Sequence, residues 1–377
     1  MTVRHDTAKR SGLAVSVLIK AFNHASYVRR TITSILEQSF QDFELVVTDD
    51  ASTDATAEIV REFADPRVRL EVLPRNQGIS GAMNATIARA RGSYFAILNS
   101  DDWALPGRLE RQVSFLDEHP GVSLVFGVPV PVGEAGARTE AHHDFNQCLT
   151  LPDYSRGAWL RQFFFKGNCL CAPTAMIRRE AYEAAGSYDR RLTNLQDLDM
   201  WIRMLVAGHD IHVLPEALTA FRIRADNANM SAPRPDTQLR SMFEAGKILR
   251  HFAAFDAPLF QEVFSDVATT PLTDHRHRNR LLAELALRDP RLAYQNFALE
   301  ILYDTARDTD DFDRLRSAAG CADVLGARTI QELCGSLTKQ QEAIAALTEA
   351  LAGKDRHLAE MEREIMTARE TIRRLSN

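Results

Sequence analysis

Through the first 130 residues the apolar positions switch repeatedly between two spacings. Residues 13–22, LAVSVLIKAF, form an almost unbroken aliphatic run, the pattern of a strand covered on both faces. In residues 26–40 the apolar positions Val28, Ile32, Ile35 and Leu36 move to helical spacing. The alternation continues with strands over 43–50, 68–74, 93–100 and 122–130, and helices over 54–64, 79–92 and 106–120. Pro106 opens the last of these helices. Strand and helix in turn, joined by short connections, predict an α/β fold with a Rossmann-like, mainly parallel sheet flanked by helices.

Beyond residue 130 the pattern loosens, and PVGEAGARTEAHHD (131–144) reads as a loop. A helix over 196–207 ends before Gly208 and leads into two short extended segments. From 236 to about 325 the spacing is helical, with no obvious site. The cluster DHRHR (274–278) reads as a solvated face, since its arginines would repel a cation. The tail is different. Ile330, Leu333, Leu337, Gln340, Ile344, Leu347, Leu351, Lys354, Leu358, Met361, Ile365, Ala368, Ile372 and Leu375 alternate three and four apart. Such a seam predicts a coiled-coil helix on the order of 70 Å long at about 1.5 Å per residue. An apolar seam needs a partner, so the reading includes a homo-oligomer formed through 330–375. Gln340 and Lys354 would set its register. The chain thus divides into a sheet domain (1–235), a helical accessory region (236–328) and a coiled-coil oligomerisation helix (329–377).

Composition narrows the class only a little. A net charge of −6 over 377 residues gives nucleic acid no reason to bind. The first apolar run breaks at Lys20 and no later run reaches spanning length, so no transmembrane segment is expected. The expected location is cytoplasmic, with the inner membrane face as the alternative. Five cysteines in such a setting are expected to be reduced. Cys169 and Cys171 have no second ligand pair at zinc spacing and read as buried thiols.

Candidate chemistry collects where strands end, which is where open α/β sheets bind ligands. Asn23 and His24 follow the first strand, Asp49 and Asp50 end the second, and Asn99 to Asp102 follow the fourth. Ser52, Thr53 and Asp54 offer caps for the next helix, but one acid would suffice for the turn. A carboxylate at 49 or 50 can instead accept a hydrogen bond from a nucleobase or a ribose. Adjacent acids Asp101 and Asp102 make a hard-oxygen site suited to Mg²⁺ or Mn²⁺, which take one or two carboxylates and fill their shell with water and phosphate. Asp197 opens a helix, where capping is the plain reading. Near a sugar-diphosphate the same carboxylate can serve as general base.

Taken in order, VSVLIKAFN, FELVVTDDASTD, NQGISGAMNATIARARGSYFAILNSDD, QDLDMW and FRIRADNANMS resemble the family 2 inverting glycosyltransferases of the GT-A fold. The resemblance covers 14–130 and 173–230, roughly half the chain. It implies that Asp49 and Asp50 hold the nucleoside, that Asp101 and Asp102 face the metal with Asp102 the direct ligand, and that Asp197 is the catalytic base. Further substrate contacts are implied at Ala21, Asn23, Asn84, Asn99 and Asp101. The partners implied are a nucleoside-diphosphate sugar, UDP-sugar first, and a glycan or glycoconjugate acceptor in surface polysaccharide synthesis. There are departures from the pattern. Lys20, Ala21, Phe22 and Asn23 stand for a frequent Pro-Thr-Tyr-Asn, Asn99 for an Asp, Gln196 for a Glu, Met83 for an Arg and Arg224 for a His. Neutral residues at 99 and 196 favour an alternative, an inactive scaffold acting through its coiled coil. A nucleotidyltransferase is disfavoured because KAFNHASY is not a Gly-rich phosphate loop.

Overall fold

A computed structural model describes residues 12–139, 153–224, 229, 232, 234–268, 272–306 and 317. The heptad seam at 330–375 lies outside the described residues, as does most of the stretch beyond Ala306. The chain forms two compact units, Met1–Ala286 and Leu287–Asn377.

In the first unit the strands are β1 (Val15–Ala21), β2 (Phe43–Asp49), β3 (Val68–Val72), β4 (Tyr94–Asn99), β5 (Trp103–Ala104), β6 (Val122–Val132), β7 (Met176–Arg178) and β8 (Asp210–Arg222). Between them run α1 (Val28–Leu36), α2 (Thr56–Arg61), α3 (Gly78–Arg89), α4 (Arg108–Glu118), α5 (Arg156–Lys166), α6 (Arg179–Ala185) and α7 (Gln196–Val206). Helices α8 (Pro235–Ile248), α9 (Arg250–Ala253), α10 (Ala257–Val263) and α11 (His275–Leu287) follow. The described part of the second unit holds α12 (Leu292–Thr305), which buries Tyr294, Phe297, Ala298 and Ile301. Among the described residues no helix is long and apolar enough to cross a membrane.

The eight strands make one sheet in the order β3-β2-β1-β4-β7-β6-β8-β5. It is a Rossmann-like sheet with flanking helices, but it is mixed, which corrects the expectation of a mainly parallel one. β1 to β4 pair parallel, and so do β6 and β8. β7 runs against both β4 and β6, and β5 runs against β8. The sequence hides both reversed strands because three and two residues are too few to show a period. The two extended segments expected after Gly208 are in fact one strand, β8. Register breaks along β6 and β8, near Val122, Phe126 and Val128, interrupt the alternation that would have shown it. Helix α5 arises inside the stretch expected to be irregular. Ser155 caps it, and Trp159, Leu160, Phe163 and Phe164 bury one stripe.

Because β7 reverses and β6 reverses again, β6 and β8 run in the same direction as β1, β2 and β4. Their carboxyl ends therefore meet on one rim of the sheet. The opposite end is closed by Glu44, which is 2% exposed. It accepts from Ser16 Oγ at 2.7 Å, Arg91 N at 2.6 Å, Arg91 Nε at 2.9 Å and Arg69 Nη1 at 2.5 Å. These donors hold its carboxyl below the usual range against the pull of burial.

Candidate active site

The register sets the rim: Ala21 stands beside Asp49, and Lys20 stands beside Asn99. At the β1–β2 corner two residues that are not glycine turn left-handed, Asn23 at φ 53° and Ala51 at φ 60°. Asn23 N donates to Ser52 Oγ at 2.9 Å, and Asn23 Oδ1 accepts from Thr53 N at 2.8 Å. The Asn23 side chain thus ties the two strand ends together. Ser52 braces the β1 turn, and Asp54 does two things at once: Oδ2 accepts from Ala25 N at 3.0 Å and Oδ1 from Thr56 N, the first residue of α2, at 3.0 Å.

Asp49 and Asp50 differ in what they lack. Asp49 Oδ1 accepts from Ser52 N at 2.8 Å, while Oδ2 is buried with no partner among the described residues. An orphaned carboxylate oxygen in a folded interior is costly, and it invites a donor from outside the chain. Asp50 Oδ1 accepts from Gln77 N at 2.7 Å, at the start of α3, and its own N–H donates to Ala21 O at 2.8 Å. Burial pushes the Asp50 carboxyl up, with the amides of Gln77 and Gly78 and the nearby Arg190 acting the other way.

The β4 corner is held by β8. Arg222 N donates to Asp102 Oδ1 at 2.7 Å, and Arg222 Nε donates to Asp101 O at 2.9 Å. Asn99 Nδ2 donates to Asp102 Oδ2 at 2.9 Å. Asp102 is 1% exposed, and burial, with Asp101 beside it, pushes its carboxyl well above the usual range. The Asp101 carboxylate has no hydrogen bond among the described residues. Asn84 lies elsewhere. Its amide clamps the backbone of Tyr188 at both ends, 2.9 Å each way, and fixes α3 to the segment before α7.

Asp197 sits in the first turn of α7. Its Oδ1 accepts from Leu198 N at 2.8 Å and its Oδ2 from Asn168 Nδ2 at 2.9 Å. Burial pushes the carboxyl up to about 6, against those hydrogen bonds and the Lys20 charge. The segment entering α7 is pinned by Glu244 of α8. Its carboxylate takes Thr193 N at 2.8 Å, Asn194 N at 2.9 Å and Leu195 N at 2.8 Å. Gln196 Oε1 is buried without a partner among the described residues. Asp199 and Trp201 serve the fold: Asp199 pairs with Arg203 and His251, and Trp201 is fully buried.

Two cations face this rim. Lys20 Nζ donates to Asn99 Oδ1 at 3.0 Å; burial lowers its pKa, and the charges of Asp101, Asp102 and Asp197 act the other way. Arg224 Nη1 donates to His24 Nε2 at 3.1 Å. A guanidinium cannot accept, so His24 is neutral and its Nδ1–H points at Ser100 Oγ, 2.7 Å away. Burial likewise lowers the His24 pKa, and the Arg224 and Lys20 charges add to that.

The oxygen donors suit a divalent cation only in part. Asp101 has a carboxylate to give, whereas both Asp102 oxygens already accept N–H groups. No three His, Cys, Asp or Glu side chains converge among the described residues. A cavity of about 430 Å³ lined by Tyr154, Arg156 and His212 lies at the other end of β6 and β8 and takes no part.

Comparison with known proteins gives the site its context. The sequence model for "Glycosyl transferase family 2" matches residues 16–186. The chain is 32% identical over 222 residues to EpsE of Bacillus subtilis, a protein whose name places it among the glycosyltransferases. That match spans 58% of this chain and 75% of EpsE. The chain belongs to glycosyl transferase family 2. Another relative is TuaG of Bacillus subtilis, a glycosyltransferase by name and named for teichuronic acid biosynthesis, 28% identical over 55% of this chain and 79% of TuaG. Among solved structures, TarS residues 1–349 of S. aureus in complex with UDP-GlcNAc superposes with a TM-score of 0.55 at 20% identity. The superposition covers 81% of this chain and 91% of that one, and it establishes a shared fold.

Asp49 and Asp50 lie at the end of β2, Asp101 and Asp102 just after β4, and Asp197 in the first turn of α7. Lys20, Asn168 and Glu244 are features the sequence reading passed over as site elements, whereas His24 and Arg224 stood in it separately and the structure pairs them. Lys20 announced itself as a polar residue ending an apolar run and as a departure at a frequent proline, with no sign of its partner. Asn168 and Glu244 reach Asp197 and its loop across 29 and 49–51 positions, with no local signal.

Proposed function

We propose that the protein transfers a sugar from a nucleoside-diphosphate sugar to an acceptor hydroxyl with inversion at the anomeric carbon. The observation that carries this reading is the buried Asp197 at the start of α7, its two oxygens held by Leu198 N and Asn168 Nδ2, where burial pushes the carboxyl up to about 6 and the Lys20 charge acts the other way. A base poised near neutrality can take the acceptor proton as the hydroxyl oxygen attacks the anomeric carbon. The bond to the diphosphate breaks on the opposite face as the new glycosidic bond forms. Asp49 and Asp50 would hold the nucleoside, the orphaned Asp49 Oδ2 accepting from a base or ribose donor. Ala21 and Asn99 would line the same wall. Asn23 would act by shaping the corner, and Asn84 by fixing α3.

A bound Mg²⁺ or Mn²⁺ would neutralise charge on the departing diphosphate, with Asp101 as the ligand that has an uncommitted carboxylate. Asp102, first choice from the motif, would then orient the corner. UDP-sugar is the favoured donor because the TarS crystals hold UDP-GlcNAc, and the TuaG name supports a role in surface polysaccharide synthesis. The heptad seam supports self-association through 330–375, which light scattering on a Leu347→Asp/Leu351→Asp variant would test.

Thermal unfolding with UDP, GDP, CDP, dTDP and ADP, with and without Mn²⁺, tests the donor class. A ligand at about 100 times its Kd adds roughly 2.7 kcal/mol, enough to raise Tm by several degrees. No shift with any diphosphate, in protein that melts cooperatively, would favour the inactive scaffold.

A further inference from the structure

Two departures from the family pattern, Lys20 in place of a proline and Arg224 in place of a histidine, flank the same corner. Lys20 Nζ donates to the neutral Asn99 amide, and that amide passes the contact on to Asp102 Oδ2. Among the described residues no carboxylate oxygen lies within 4.0 Å of the Lys20 ammonium. An ammonium has three protons to donate, and Asn99 takes one. Arg224 is likewise without a carboxylate partner among the described residues, and its Nε is buried with no acceptor. Its guanidinium lies 5.4 Å from the Tyr27 ring centre and rests on neutral His24, which cannot compensate its charge. Had position 99 carried the acid usual in the family, Lys20 would be paired and its charge consumed. Asn99 leaves that charge available.

We propose that Lys20 and Arg224 form a built-in cationic clamp for the diphosphate of the donor, so that nucleotide binding persists without a divalent ion. This deepens the glycosyltransferase reading and rests on it. Phosphate oxygens are the acceptors these groups lack, and charge-assisted N–H bonds to phosphate are among the stronger hydrogen bonds in proteins. A guanidinium offers two parallel donors to one phosphate, while the ammonium acts as a point charge on the next.

The test is calorimetric titration of the full chain with UDP, in EDTA and in Mn²⁺, with uridine as the phosphate-free control. UDP is expected to bind in EDTA with a Kd within about tenfold of that in Mn²⁺. Lys20→Met and Arg224→Met should each weaken UDP binding in EDTA by about tenfold or more, and leave uridine binding unchanged. Unchanged uridine binding separates a lost phosphate contact from a damaged fold. Asn99→Asp keeps the side-chain shape, pairs Lys20, and should also weaken binding in EDTA. UDP binding that vanishes in EDTA but is restored by Mn²⁺ would overturn the clamp and leave the parent reading intact. So would variants that bind UDP in EDTA as the parent chain does. Failure of UDP, GDP, CDP, dTDP and ADP alike to bind under either condition would overturn both.

Discussion

The two ends of the central sheet handle buried carboxylates in opposite ways. At the amino end, Glu44 is wrapped by Ser16, Arg69 and Arg91, and its carboxyl is held below the usual range. At the carboxyl end, Asp50, Asp102 and Asp197 are all pushed upward by burial, and Asp49 keeps an orphaned oxygen. The chemistry is the same and the compensation is not. A satisfied carboxylate stabilises the fold, while an under-compensated one is stable only because its surroundings hold it there for a ligand. Burial alone does not show this contrast, since Glu44 and Asp102 are both almost fully covered.

The largest expected effect is at Asp197. Asp197→Asn should lower kcat/KM by about 10³-fold, within the range of general-base catalysis, and leave UDP affinity unchanged. The same change should raise stability at pH 7 by about 1–2 kcal/mol. Above pH 6 the wild-type carboxylate is charged where burial favours the neutral form, and asparagine removes that conflict. Activity assays paired with thermal melts check both halves.

Glu44→Gln should do the reverse, lowering stability by about 2–3 kcal/mol with UDP affinity unchanged, as calorimetry and titration would report. The Glu44 carboxyl is depressed in the fold, so its contribution is present above the unfolded pKa. It is lost as pH falls through the lower folded value. Urea titrations of parent and variant should therefore converge in acid.

Smaller effects sharpen the picture at the rim. If Asp197 must be ionised, the pH profile of kcat/KM for free enzyme should rise through about 6. Asn168→Ala removes a donor to the charged form and should move that limb to higher pH. Ala51→Gly should stabilise by about 0.5–1 kcal/mol, because glycine adopts the left-handed backbone at φ 60° without penalty. A chemical denaturation curve resolves a change of that size.

Much of this contrast can be read in the chain before it folds. The runs at 13–22, 43–50 and 93–100 become β1, β2 and β4, whose buried faces leave little else for them to be. That placed Asp49, Asp50, Asp101 and Asp102 at one rim. Asp197 was legible as an acid opening a helix. What stayed hidden depends on contacts distant in sequence. β7 has three residues, and its reversed direction comes from its slot between β4 and β6. The region after 235, read as having no site, supplies through Glu244 the carboxylate that fixes the loop before Asp197. Lys20 and Asn99 looked like two unrelated departures until the register set them side by side.

Hydrogen exchange measured with and without UDP puts the two ends of the sheet in one experiment. UDP should slow exchange at residues 20–24, 49–53, 76–78 and 99–103 and leave 42–45 and 89–92 at their unliganded rates. Slowing at the Glu44 end with none at the rim would contradict the assignment of the under-compensated acids to the ligand.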